Sequence, residues 1–401
     1  MKILYTTARL PYPPLRGDQL VPFSRMRLLA RKHEITLLSF VESRQELEWI
    51  EELRKHCEQI HVVPLTRWQA YANIPKNIFT SLPLQVAYYD SQLYRRRLTE
   101  ILARDNFDVI HTILARPANH VVRLSGPVKV CEMIDTLSLT MKRKADAAAG
   151  PARWFWRMEE RRMRKFEDEI CRQFDGVVVV SEVDRQQLRS ENVRVVPVGA
   201  DLAMQPKPSP NGHRIVIFSG NLAYGPNEDA ALFLIQGIWP RLRKMLPKAQ
   251  LKIVGSGPSE RVRQAAHPFA DVEVTGFVPD LRKYLLEADV AIAPIRSGGA
   301  GMHCKALEAM ACGTPVVVSS HMTGVPGKPE ENFLVANDEY EYVQAVRRLV
   351  EDRELATKLG ERGKQLISEQ YSWERTTEQL ETFYEELLSR SVRRVQDAFR
   401  N

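Results

Sequence analysis

Lys305 and Glu308 stand three residues apart, one helical turn, at the end of a glycine-rich run. They sit in DVAIAPIRSGGAGMHCKALEAMACGTPVVVSS, residues 289–320, which reads as strand, loop, helix, tight turn and strand. Gly298, Gly299 and Gly301 lie just before the helix, where glycine permits unusual dihedrals and leaves backbone N–H groups bare. Bare N–H groups together with a helix N-terminus attract phosphate. A cation and a carboxylate at that point would suit a nucleotide, Lys305 on phosphate and Glu308 on ribose hydroxyls. The helix is expected from near Met302 to just before Gly313, a fitting C′ residue. Leu307, Met310 and Ala311 would then pack on a sheet, with Cys304, Lys305, Glu308 and Cys312 on the other side. On these residues alone an ordinary α/β crossover with a surface Lys and Glu is the commoner reading.

The elements around this stretch repeat one unit: apolar strand, glycine turn, helix. In the second half Arg214–Ser219 leads into Gly220-Asn221, Leu251–Val254 into Gly255-Ser256-Gly257, and Val272–Thr275 into Gly276-Phe277-Val278. The first half has strands at Lys2–Thr6, Glu34–Ser39, Asp108–His111, Val128–Ile134 and Phe174–Ser181. That alternation predicts an α/β chain of two doubly wound sheets. Ligands bind such folds at the carboxyl ends of the strands, which singles out Gly17 in the loop after the first strand, His111 and Asp135. A histidine there is more often a structural residue than a ligand-binding one. QPKPSPNG, residues 205–212, reads as a linker. No GxGxxG occurs, so a dinucleotide cofactor has no support.

The pattern GxxxKxxEAMACGTPVV resembles the donor-site signature of the retaining family-4 glycosyltransferases, and RVVPVGAD, residues 194–201, resembles their Pro-x-Gly-x-Asp element. The opening, PYPP…GD…LL…HEITLLSF, is similar to bacterial exopolysaccharide sugar transferases. The resemblance implies the GT-B fold, two Rossmann-like domains facing a central cleft. It implies an acceptor-side domain over 1–205, a nucleotide-sugar-binding domain over 206–370, and a last helix, 371–401, crossing back to the first. It places the nucleobase near Phe277 and Val278 and the phosphates near Gly220 and Gly301. Gly17, Asn221, Met302, His303, Lys305 and Glu308 complete the donor-binding set. Lys305 and, on the acceptor side, Asp135 are its catalytic candidates. The resembled mechanism retains anomeric configuration, with the leaving phosphate helping to deprotonate the acceptor. The chain departs from the pattern at several points. Ala300 stands where relatives carry the first Glu of Glu-x7-Glu, and Ile113 where they carry the second histidine of His-x-His. Asn221 and Pro226 replace an Arg and a Lys, leaving Lys305 and Arg296 as cations for a diphosphate. These losses keep open a catalytically silent GT-B scaffold at a membrane assembly. A GT-B sugar epimerase or phosphorylase is the enzymatic alternative.

With 401 residues, 44% hydrophobic and 27% charged, the chain has material for two or three cored domains. No run approaches the roughly 18 apolar residues of a membrane span, and the N-terminus has no secretory h-region. Cys57, Cys131, Cys171, Cys304 and Cys312 are scattered and odd in number, as in a reducing cytoplasm. No Asp-x-Asp pair and no His/Asp cluster at ligand spacing is present, so the expected enzyme needs neither metal nor cofactor beyond its nucleotide-sugar substrate. A net charge of +7 favours anionic partners: the nucleotide sugar, a glycan or lipid-linked acceptor, and an anionic membrane surface. Nucleic acid would need a recognisable module, and none is seen. Residues 141–170 concentrate arginine and lysine around Trp154, Phe155 and Trp156. Such a helix can lie on anionic lipid, or be a solvated helix whose aromatics pack inward. The expected location is the cytoplasm, peripheral at the inner face of the membrane.

Overall fold

The computed structural model describes residues 1–14, 16–77, 79–202, 214–296, 304–322 and 324–398. The chain forms two compact units, Met1–Pro197 with Thr376–Asn401, and Val198–Arg375. The crossings fall at 197/198 and 375/376, where the sequence reading set its boundaries after 205 and 370. The linker read at 205–212 lies outside the described residues.

The first unit is built on seven parallel strands: β1 Lys2–Thr7, β2 Glu34–Val41, β3 Gln59–Pro64, β4 Val109–Ile113, β5 Val128–Ile134, β6 Gly176–Val179 and β7 Val193–Val195. Their order is β3-β2-β1-β4-β5-β6-β7. The central strands are buried along nearly their whole length, as in a parallel sheet covered on both faces. Helix α1, Gly17–Leu29, follows β1, and α2, Arg67–Asn77, follows β3. The basic segment is two helices rather than one: α3, Leu137–Ala147, and α4, Gly150–Gln173. The break falls at Gly150, whose φ of +58° is left-handed and open to glycine.

The second unit has six parallel strands: β8 Arg214–Ser219, β9 Ala249–Val254, β10 Val272–Gly276, β11 Val290–Ala293, β12 Val316–Val318 and β13 Leu334–Val335. Their order is β10-β9-β8-β11-β12-β13. Helix α5, Gly225–Phe233, follows β8, and α6, Cys304–Ala311, precedes β12. The end of α6 is a Schellman motif: Thr314 N–H donates to Ala309 O and Gly313 N–H to Met310 O, with Gly313 at φ +73°. One expectation for this helix is corrected. Cys312 is buried, as are Ala306 and Ala309, so the polar side narrows to Cys304, Lys305 and Glu308. Small residues allow neighbours to close in on nearly the whole circumference, and a free cysteine behaves as a small hydrophobe.

The last helix, α7, Trp373–Ala398, starts in the second unit, and its residues from Thr376 belong to the first. There Phe383, Tyr384 and Leu387 are buried. A Cβ added at Gly176 would lie 2.6 Å from Leu387, so glycine in β6 lets the helix sit directly on the strand. Beneath it runs a fully buried charge network. Arg25 pairs with Glu132 at 3.0 Å, Glu132 meets His111 Nε2 at 3.1 Å, and Tyr384 Oη lies 2.6 Å from His111 Nδ1. Arg25 also donates to the carbonyls of Val196 and Pro197, the last residues before the crossing.

Candidate active site

In the second sheet the strand order reverses between β8 and β11. Ligands of a doubly wound sheet usually sit at the carboxyl ends of the strands on either side of such a reversal. The β8 loop brings Gly220, Asn221 and the start of α5 to it, and α6 brings Lys305 and Glu308. Lys305 Nζ donates to Asn227 Oδ1 at 3.1 Å, and Asn227 Nδ2 donates to Asn221 O at 2.9 Å. The lysine is thereby tied to the first turn of α5, across the switch point. Glycine is required here by close packing. A Cβ at Gly255 would fall 1.7 Å from Gly220 O, and one at Gly220 would fall 2.9 Å from Asn227 Nδ2.

Lys305 and Glu308 are half-buried. Loss of solvent lowers the Lys305 ammonium below its ordinary range, opposed by Cys304 and Glu308. Burial pushes the Glu308 carboxyl up to about 7; Lys305 pulls it down and Asp201 adds to the rise. A desolvated cation and a desolvated carboxylate one turn apart form a site that an incoming ligand's phosphate and hydroxyls would stabilise.

The other expected donor residues divide. Asn221 is exposed and its side chain accepts from Ala223 N–H at 3.0 Å, so it shapes its own loop. Phe277, at the end of β10, is 60% exposed, a free aromatic face, while Val278 packs on the core. Gly301, Met302 and His303, with Ala300, lie outside the described residues. Gly17 lies in the first unit, at the start of α1, with nothing within 4 Å of where its Cβ would be. Arg296, the other cation expected for a diphosphate, pairs with Asp229 at 2.9 Å and lies over the Phe233 ring at 4.5 Å.

In the first unit the order reverses between β1 and β4. The carboxyl ends of β4 and β5 carry Leu114 at φ +69° and Ile134 at φ +60°. Such strain in non-glycine residues clusters where function dictates the backbone. Ile134 presents Asp135, whose surface is exposed. Surrounding protein and then Asp184 push its carboxyl up, with Arg143 opposing; exposure to solvent screens that push. His111 is a fully buried member of the charge network, and Ile113 is buried as well. Sequence reasoning missed Arg9, Asp18 and Arg116. Arg9 and Arg116 lie 3.0 and 3.6 Å from the Asp18 carboxylate at the β1/β4 switch point. Arg9 and Arg116 had one sequence signal, position directly after β1 and β4, while Asp18 stands in the GD of the opening motif.

Comparison with known proteins decides the family. Residues 25–204 match the model of "Glycosyltransferase Family 4" and residues 213–352 that of "Glycosyl transferases group 1". The chain is a family-4 glycosyltransferase. Across 79% of its length it is 24% identical to the MMP α-(1→4)-mannosyltransferase of Mycolicibacterium hassiacum, covering 82% of that protein. Across 36% it is 33% identical to a GDP-mannose-dependent α-(1-6)-phosphatidylinositol monomannoside mannosyltransferase of Mycobacterium tuberculosis, spanning 41% of that relative. The glycosyltransferase shares its fold with the sucrose-phosphate synthase of Thermosynechococcus elongatus, at TM-score 0.68 and 19% identity over 97% of this chain and 99% of the other. Anabaena Alr3699/HepE in complex with UDP and glucose gives TM-score 0.68 at 14% identity over 95% and 98%. The fold is GT-B. Within this family-4 glycosyltransferase the Lys305–Asn227–Asn221 chain falls in the second matched segment and Asp135 in the first. No group of three or more metal-ligating side chains occurs among the described residues, and no described helix is long and apolar enough to cross a membrane.

Proposed function

We propose that this glycosyltransferase moves a hexosyl unit, with retention of configuration and without a metal ion, from a nucleotide-diphosphate sugar to a glycan or lipid-linked acceptor of surface polysaccharide or glycolipid synthesis. One observation carries the reading: Lys305, tethered to Asn227 across the β8/β11 switch point, with Glu308 one helical turn away. Departure of the nucleotide diphosphate places negative charge on the leaving oxygens, and catalysis requires that charge to be met as it grows. Lys305 meets it. Glu308 accepts the ribose hydroxyls, and Phe277 offers a stacking face to the base. Asp135, at the strained end of β5, orients the acceptor hydroxyl, and the leaving phosphate takes its proton. The two mannosyltransferase relatives support a hexosyl donor; GDP and UDP are the two nucleotides to test. The enzyme works from the cytoplasm at an anionic membrane face, where a lipid-linked acceptor resides.

The silent-scaffold reading is favoured by Ala300 and Ile113. Incubating the full chain with UDP- and GDP-hexoses separates the two. The enzyme reading expects nucleoside diphosphate to be released, to rise with an acceptor extract, and to persist in EDTA. NMR of the product should show the donor's anomeric configuration. Donor binding without release under any acceptor would establish the scaffold.

A further inference from the structure

Helix α4 carries Arg153, Arg157, Arg161 and Lys165 four residues apart, so they form one exposed cationic stripe. Such spacing aligns like charges, which repel one another by a few tenths of a kcal/mol per pair. Only Arg157 is neutralised in place, by Asp146 at 2.8 Å. Among the described residues Arg153, Arg161 and Lys165 form no ion pair. The stripe borders a groove of about 780 Å³ that Trp154 and Ser81 also line. Trp154 is 70% exposed, while its neighbours Phe155 and Trp156 are half-buried and Lys144 caps the Trp156 ring at 4.5 Å. Phe79, two residues before Ser81, is 98% exposed. Past Lys165 the helix surface turns mixed at Asp168 and Glu169, which ends the cationic face.

Unpaired cations and the bare Trp154 along a groove, with the bare Phe79 two residues from Ser81 of its wall, have the composition of a headgroup-level contact: aromatics at the boundary, cations on phosphate. We infer that the groove between α4 and the 79–82 segment is the docking face for an anionic bilayer, Arg153, Arg161 and Lys165 taking headgroup phosphates and Trp154 and Phe79 entering the interface. This deepens the membrane element of the proposed function by naming its residues. It adds the 79–82 segment, which no basic pattern marks, and excludes Phe155 and Trp156.

The test is co-sedimentation of the full chain with vesicles of phosphatidylcholine alone or with 30 mole per cent phosphatidylglycerol, in low and high salt. Binding should need the anionic lipid and fall with salt as exposed charges are screened. Arg153→Gln/Arg161→Gln/Lys165→Gln should lower partitioning roughly a hundredfold, from about fivefold per cation near an anionic surface. Trp154→Ser should lower it separately, and wild-type tryptophan emission should shift blue on binding. As a charge-matched control, Lys244→Gln/Lys328→Gln/Lys358→Gln removes three exposed lysines of the second unit and should bind as wild type. Thermal melts confirm folding. Equal partitioning of wild type and stripe variant, equal loss in the control, or binding to neutral vesicles alone would each overturn the assignment. Nucleotide-sugar binding measured on the same samples keeps the readings apart. A wild type that binds donor but no vesicle loses the docking face alone, and one that binds vesicles but no donor loses the transfer reading alone.

Discussion

Glu308 is the residue whose ionisation reports most directly on the site. Its folded carboxyl is raised to about 7 from 4.5, mainly by burial. A raised carboxyl favours the protonated folded form, so this group's contribution to stability is complete below pH 4.5 and is lost as pH rises through about 7. Ribose recognition needs the opposite, ionised form. Nucleoside affinity should therefore rise from pH 6 to 8 in wild type and be flat in Glu308→Gln, measured by calorimetry; the nucleoside has no phosphate to titrate. Lys305→Ala should weaken nucleoside diphosphate far more than nucleoside, because its partner is phosphate. A charge-assisted hydrogen bond of this kind is worth about 1.5–3 kcal/mol, so a loss of tenfold or more in diphosphate affinity is expected. Both residues were legible in the sequence because lysine and glutamate one turn apart after glycines are unusual. Asn227 was not, since its contact with Lys305 joins helices 78 residues apart in the chain. The Arg296 partner was hidden for the same reason: Asp229 is distant in sequence and close in space.

At the scale of elements, what the site needs is the β8 loop held close against the β9 loop beside the switch point. Gly255 fills that need, because the Gly220 carbonyl occupies the space a side chain would take. Gly255→Ala should cost roughly 2–4 kcal/mol, by the steric route that makes a core substitution severe, and should lower donor affinity by moving the β8 loop. Denaturant midpoints and nucleotide titration check the two effects separately. Gly17→Ala, with open space around it, should leave stability within about 0.5 kcal/mol of wild type. Several strands could be read at their observed limits: Val316–Val318 is a continuous apolar run, as suits a parallel strand buried on both faces, and Val128–Ile134 is apolar apart from Lys129 and Glu132. The split of the basic segment at Gly150 was hidden, as glycine within a helical pattern need not break it. Burial of Cys312 was also missed, since a helical face reads from polarity and free cysteine is ambiguous.

At the scale of the whole molecule, the last helix is held to the first unit by Tyr384, His111, Glu132 and Arg25, all buried. Removing one partner of such a network strands the others, at about 3–5 kcal/mol. Glu132→Gln should show that loss in thermal or denaturant unfolding, and Tyr384→Phe a smaller one of about 1–3 kcal/mol. No sequence pattern announces this network, whose members are spread from residue 25 to residue 384. Family membership, by contrast, was legible from one motif, because that motif resembles the family's donor-site signature. The central claim is that Lys305 and Glu308 hold a nucleotide-diphosphate sugar, and the most direct test is titration calorimetry of wild type, Lys305→Ala and Glu308→Gln with UDP, GDP and their hexoses. The account predicts saturable binding of at least one donor by wild type and a loss of tenfold or more in each variant, with melting curves intact. Unchanged affinity for every nucleotide in folded Glu308→Gln would make the carboxylate a surface residue and remove the donor site from α6.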